Sequence, residues 1–203
     1  ESHNAVMLDQ ATSSGTVFAS GNRASDIRLE QPGTDANFVN AAVDLYGQDD
    51  AFCERIVGSE CEEVVDINGD CKNIQVRDVK AYNLTQYAAE VNNSMNVNIS
   101  GLNVWDDDGG NPSSGVIFCQ DYAGETLLNT NITLNGAVHH VSATTTPKLA
   151  SVFIEDCRSG EFHVTANLNK DMANGLYVIL GQTSNSSDDC SNVYLDLRYR
   201  MLA

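Results

Sequence analysis

Proline is scarce in this 203-residue chain, and so is positive charge. The prolines are three, at Gln31-Pro32-Gly33, at Gly110-Asn111-Pro112 and at Pro147 behind a threonine run. None interrupts a stretch with strand character, as ladder hydrogen bonding requires. Lysine and arginine number 11 against 28 acidic residues, a formal charge of −17. That balance repels phosphate backbones and anionic headgroups, so no nucleic acid and no anionic membrane surface is expected as a partner. No apolar run is long enough to cross a bilayer, so no membrane insertion is expected either. Glu1-Ser2-His3-Asn4 lacks the basic and apolar regions of an export signal. The chain therefore reads as mature, as trimmed, as a fragment of a larger protein, or as independent of export. Hydrophobic residues make up 42%, which argues against disorder, and the length suits a single domain over residues 1–203.

What is present is a strand pattern that returns about every thirty residues. It reads Asn73-Ile74-Gln75-Val76, then Asn96-Val97-Asn98-Ile99, then Asn129-Thr130-Asn131-Ile132. It returns around Val164 in Gly160–Val164 and around Val193 in Asn192–Leu197. Aligning Val76, Ile99, Ile132, Val164 and Val193 gives spacings of 23, 33, 32 and 29. A period of two inside a longer period is the mark of stacked β-coils, each burying one face in a shared core. A second strand series fills the intervals, at 88–91, 115–119, 151–155 and 176–180. Ser25–Glu30 reads as a first rung, and the Phe38–Tyr46 stretch leans to strand because Val43 and Leu45 alternate around Asp44. Asn, Asp, Gly and Ser corners join the pieces, residues that tolerate left-handed backbone. The pattern predicts an all-β parallel solenoid, clearest over residues 62–200. An antiparallel sandwich is the alternative, and it requires hairpin dipeptides that are few here.

Six cysteines do not demand a disulfide framework in a chain of this length. Cys71, Cys157 and Cys190 each follow an Asp and precede a recurring strand, so they are expected as free thiols at equivalent stacked positions. Cys53 and Cys61 are close enough in sequence for a local bridge as the alternative. Asp66-Ile67-Asn68-Gly69-Asp70 has the oxygen spacing of a calcium loop. Cys71 stands at its sixth position and Arg77 at its twelfth, so it reads as a polar turn. His139 and His140 fall on opposite sides of a strand and cannot share one ion. No metal and no cofactor is expected.

The N-x-x-I/V rungs at Asn73, Asn96 and Asn129, with the corners between them, resemble the right-handed parallel β-helix superfamily that includes pectate lyases and bacteriophage tailspikes. The resemblance covers roughly residues 60–200 and is one of pattern. It implies a right-handed β-helix and, by the tailspike members, a homotrimer on a virion or outside the cell that recognises a bacterial surface polysaccharide and in some cases depolymerises it. Basic residues are few and scattered, unlike the set that pectate lyases use with calcium. The strand-like end Leu195–Leu202 exposes an edge that a trimer partner or further chain would cover.

Glycoside hydrolysis takes two carboxylates, one protonated and one ionised. Aligning the second strand series places Glu90, Asp121, and Glu155 with Asp156 near the ends of adjacent strands. These are the candidate catalytic residues, with Asp121 and Glu155 or Asp156 as the acid–base pair. The alternative for the group is chance alignment among many acidic residues. Trp105, beside Asp106, Asp107 and Asp108, is the candidate sugar platform, with Tyr122 as a further contact. Three readings follow: a tailspike-like glycan-binding module, a polysaccharide hydrolase or lyase proper, or a structural stalk without a ligand.

Overall fold

In the computed structural model, residues 6–9, 19–30, 41–84, 86–106, 115–120, 128–140, 152–169, 178–180 and 190–202 are described. They form sixteen strands and, among the described residues, no helix. The first five are β1 (Val6–Asp9), β2 (Ala19–Ser20), β3 (Arg23–Glu30), β4 (Ala41–Tyr46) and β5 (Gln48–Asp49). Then come β6 (Phe52–Ser59), β7 (Glu63–Asn68), β8 (Lys72–Tyr82), β9 (Tyr87–Asn92), β10 (Met95–Asp106) and β11 (Gly115–Gln120). The last are β12 (Thr130–His140), β13 (Val152–Ile154), β14 (Gly160–Asn169), β15 (Val178–Leu180) and β16 (Val193–Leu202).

Every strand pairing is parallel, and the strands divide between two sheets. The seven-stranded sheet runs β1-β4-β7-β9-β11-β13-β15. The nine-stranded sheet runs β16-β14-β12-β10-β8-β5-β2, with β6 beside β8 and β3 beside β6. From β7 to β16 the chain alternates strictly, one strand in each sheet per repeat. The sandwich alternative required antiparallel neighbours, and none occurs among the described strands. The fold is all-β with parallel sheets, and its topology is compatible with a solenoid.

The alternation read from the sequence is the burial seen. In β8, Ile74, Val76, Val79 and Ala81 are fully buried, while Asn73, Gln75, Arg77, Asp78 and Lys80 are exposed. The two consecutive exposed residues mark a corner. Asp78 has φ 54°, and Asp26, Arg55 and Gly101 share left-handed φ at the same place in β3, β6 and β10. At each corner one residue drops out of the pairing, so Arg77 and Val79 face Ser100 and Leu102. Among the described residues, ten of the twelve non-glycine residues at positive φ are Asn or Asp, which lose less there than other side chains.

A second left-handed column opens the strands at Asn73, Asn96 and Asn131, each near φ 57°. Their amides form an exposed ladder: Asn131 Nδ2 donates to Asn96 Oδ1 at 2.9 Å, Asn96 to Asn73 at 3.0 Å and Asn73 to Asp49 at 3.1 Å. The sequence alignment paired Asn129 with Asn96. Instead Asn129 is buried one corner earlier, where its side chain accepts from the Ser94 N–H and donates to the Val91 carbonyl. The apolar alignment was displaced too. Ile99 faces Leu134, then Phe162, then Leu195, and not Ile132, Val164 and Val193. Each displacement is two residues, which keeps the side chain on the same face.

All six cysteines are free, including Cys53 and Cys61. Backbone bonds from Met95 to Cys71, Thr130 to Ser94, Arg158 to Asn129 and Ser191 to Cys157 put Cys71, Ser94, Asn129, Cys157 and Cys190 in one corner column. The Cys71 thiol donates to the Asn68 carbonyl at 3.1 Å and accepts from the Gln48 N–H. Burial pushes its pKa up to about 12, which makes it a poor nucleophile.

Candidate functional site

The outer face of the nine-stranded sheet gathers its side chains into columns. One runs Gln75, Asn98, Thr133, Glu161 and a second Arg77, Ser100, Asn135, His163, Asp196. A third runs Lys80, Asn103, Ala137, Thr165, Arg198, and the last Ser59, Tyr82, Trp105, His139, Asn167. Neighbours within a column are one strand spacing apart, roughly 4.8 Å. The face is therefore a grid of amides, hydroxyls and rings.

Trp105 lies half-buried in that last column. Its indole stacks on Tyr82 at 5.1 Å and 14° on one side, and on His139 at 5.2 Å and 11° on the other. Asn167 Nδ2 meets His139 Nδ1 at 3.1 Å and continues the row. Both indole faces are thus engaged, so Trp105 offers an edge and not the open ring face that a sugar platform needs. The ring with less cover is Tyr82, 36% exposed, whose neighbour on the far side is the small Ser59.

A shallow depression of about 260 Å³ lies among Asn135, His163, Thr165, Asp196 and Arg198. His163 Nε2 is 2.7 Å from Glu161, and its Nδ1 is 3.6 Å from Asp196. Arg198 Nη2 donates to Asp196 at 2.9 Å. The Glu161 hydrogen bond, helped by Asp196, raises the His163 pKa. Arg198 lowers that of Asp196. Sequence reasoning missed this group because its members come from three strands, and only the register joins them.

The carboxylate row expected from the sequence has different members. Glu90 faces Asp66 in β7 and Phe118 in β11, and Phe118 faces Phe153. Glu155 and Asp156 follow the last residue of β13 and are 2% and 5% exposed, so neither reaches an open surface. Asp107, Asp108, Asp121 and Tyr122 lie outside the described residues, and Asp106 ends β10 opposite His140. The carboxylates that do gather are Asp44, Asp66 and Glu90 in one outer column of the seven-stranded sheet, with Glu63 hydrogen-bonded to Glu90. Asn68 donates to Asp66 at 2.8 Å and Asn92 to Glu90 at 2.5 Å. Burial, then the hydrogen bond to Glu90 and its charge, pushes the Glu63 pKa far up, and burial takes Asp66 to about 7. The Glu63 carboxyl therefore keeps its proton at neutral pH. Among the described residues no group of His, Cys, Asp and Glu has metal-holding geometry.

Charge divides between the sheets. All eight lysines and arginines located on strands belong to the nine-stranded sheet, where eight carboxylates balance them. Strands of the seven-stranded sheet carry five carboxylates and no cation. Comparison with known protein families, with curated proteins and with solved structures returns no match for this chain.

Proposed function

We propose that the chain is a right-handed parallel β-helix of the tailspike kind, homotrimeric and carried on a virion or outside the cell. In this reading it recognises a bacterial surface polysaccharide along the outer face of its nine-stranded sheet. The observation that carries the reading is the grid itself. Asn98, Ser100, Asn103, Thr133, Asn135, Thr165 and Asn167 stand in register beside the Tyr82–Trp105–His139 stack. A repeating array of donors and acceptors suits a polymer of repeating hydroxyls, and its in-register columns are pre-organised for an extended chain. Binding is the function proposed, and cleavage is not. Glu155 and Asp156 are buried, and Glu90 is committed to Glu63 on the other sheet.

The test is binding of bacterial surface polysaccharides to the wild type, to Tyr82→Ala and to Trp105→Ala. Loss of either ring is expected to weaken binding about tenfold, with no release of reducing ends by any of the three proteins. Unchanged affinity in both variants removes the glycan face. A monodisperse monomer by light scattering removes the tailspike assembly.

A further inference from the structure

The charge balance of the nine-stranded sheet is uneven along its length, and its first strands hold an unneutralised pair of arginines. Phe52 in β6 stands between Arg23 of β3 and Gln75 of β8 in the outer column. The Arg23 guanidinium carbon lies 5.9 Å from the Phe52 ring centroid, and that of Arg77 lies 5.4 Å away. Arg77 also donates to Gln75 Oε1 at 3.1 Å. Among the described residues neither guanidinium has a carboxylate within ion-pair distance. Arg55 differs in this respect, because it is tied to Asp26 at 2.6 Å and to Glu54. Packing against an aromatic ring fixes a guanidinium without cancelling its charge, whereas a carboxylate partner would do both.

Beside this trio opens a cleft of about 480 Å³, lined by Gly21, Arg23, Asp50, Phe52, Asn73 and Gln75, with Ala51 at its base. Its chemistry is mixed: a fixed cation at the wall, amide groups from Asn73 and Gln75, and the Asp50 carboxylate. A bare anion would meet Asp50 as well as Arg23. A sugar bearing an acidic substituent would satisfy both, its anion on the Arg23 guanidinium and its hydroxyls on Asp50 and the amides. The described strands of the sheet opposite carry carboxylates and no cation, so they offer such an anion no partner.

We propose that this cleft, walled by Arg23 and by the Phe52 ring on which Arg77 also packs, is a binding subsite for the negatively charged substituent, carboxylate or ester sulfate, of a glycan chain. It rests on the glycan reading above and narrows it, since a net charge of −17 would by itself favour neutral ligands. A phosphodiester chain is the less suitable polyanion here. Its units carry the charge without the free hydroxyls that Asp50 and the amides of Asn73 and Gln75 would engage.

The experiment uses the full chain and five probes: a polyuronate, its methyl ester, dextran sulfate, dextran and a single-stranded oligodeoxynucleotide. Affinity electrophoresis or calorimetry reads the binding of wild type, Arg23→Gln, Arg77→Gln and the double variant. Arg200→Gln, remote from the cleft, serves as control, and far-UV circular dichroism checks folding. The polyuronate or the sulfated polymer is expected to bind at least about tenfold more tightly than its uncharged counterpart. Whichever of the two binds identifies the substituent. The double variant is expected to lose that preference, with weaker salt dependence, while Arg200→Gln keeps it. Equal binding of charged and neutral forms overturns the subsite and leaves the glycan face standing. Binding of neither charged polymer overturns the subsite as well. Equal or tighter binding of the oligonucleotide, lost in the double variant, reassigns the cleft to a phosphate polymer and also overturns the proposal.

Discussion

The first repeats and the last repeats of this chain solve the same geometric problem differently. In β3, β6, β8 and β10 a left-handed residue bends the strand at Asp26, Arg55, Asp78 and Gly101. In β12 the bend is gone: Ser100 and Leu102 face Asn135 and Gly136, with nothing opposite Gly101. β14 then pairs with β12, and β16 with β14, without a break. A strand that drops its corner residue takes a shorter path past the core, and the side chain there must shrink. Gly136 is that side chain, since a Cβ would meet the Leu102 Cβ at 3.1 Å and its carbonyl oxygen at 3.2 Å. Flanking positions grow instead. The inward column reads Ala24, Cys53, Val76, Ile99, Leu134, Phe162, rising in size until the corner has vanished. The seven-stranded sheet changes over the same boundary, its outer column passing from Asp44, Asp66 and Glu90 to Phe153 two strands on. A uniform topology thus holds two kinds of repeat, one cornered and acidic, the other straight and apolar.

The largest expected effect breaks the comparison at its core. Phe162 is fully buried and fills the widened flank of the straight repeats. Phe162→Ala should cost about 3–5 kcal/mol, and Val76→Ala in the same column of a cornered repeat about 2 kcal/mol, both read from urea unfolding. Equal costs would mean that the gradation of side chains along the column has no structural weight.

Next in size is the acidic column, which should make the cornered repeats sensitive to alkali. Glu63 and Asp66 have folded-state pKa values above their ordinary 4.5 and 3.8, Asp66 at about 7. The folded protein therefore binds more protons than the unfolded chain between about pH 4 and 7 and, through Glu63, above that. Stability is greatest below the unfolded values and falls as pH rises through this window. The loss from pH 5 to pH 8 is expected to be on the order of 1–3 kcal/mol. Glu63→Gln keeps the shape, removes the titration, and should be more stable than wild type at pH 8 with a smaller pH slope. Asp50→Asn, exposed and left-handed, removes the same formal charge and should leave the slope as it was. Matching slopes in wild type and Glu63→Gln would detach this sensitivity from the buried pair.

How far the sequence reaches is clear from the same residues. Alternation exposed the strands, and Asn and Asp marked the corners, because both signals are local. Cys71, Cys157 and Cys190 were placed in one column by their shared position before a strand. Register was not legible to better than two residues. Ile132 and Leu134 are both apolar and inward, so pattern alone cannot choose between them, and the structure chose Leu134 as the partner of Ile99. The loss of the corner at Gly136 is one missing residue, invisible without pairing. Site residues suffered most, since a two-residue slip preserves the face of a side chain but replaces its neighbours. Glu90 was matched to Asp121, three residues past its register partner Phe118, when the carboxylates beside it are Glu63 and Asp66, and the His163–Asp196 and Arg23–Phe52–Arg77 groups went unseen.

The smallest effect sharpens the comparison to a single backbone angle. Asp78 occupies the corner at φ 54°, while Asn135 sits on the outer face of the straight β12, outside the set of left-handed residues. Valine is β-branched and costs about 1–2 kcal/mol in left-handed backbone, so Asp78→Val should destabilise by that amount. Asn135→Val should stay within about 0.5 kcal/mol, as an exposed strand position that valine suits. Asp78→Gly separates the angle from the side chain, because glycine adopts positive φ freely and should restore most of the stability lost with valine. If Asn135→Val proves as costly as Asp78→Val, or if Asp78→Gly proves as costly as valine, the corner is held by side-chain contacts and not by backbone preference. The difference between the two kinds of repeat would then lie in packing alone.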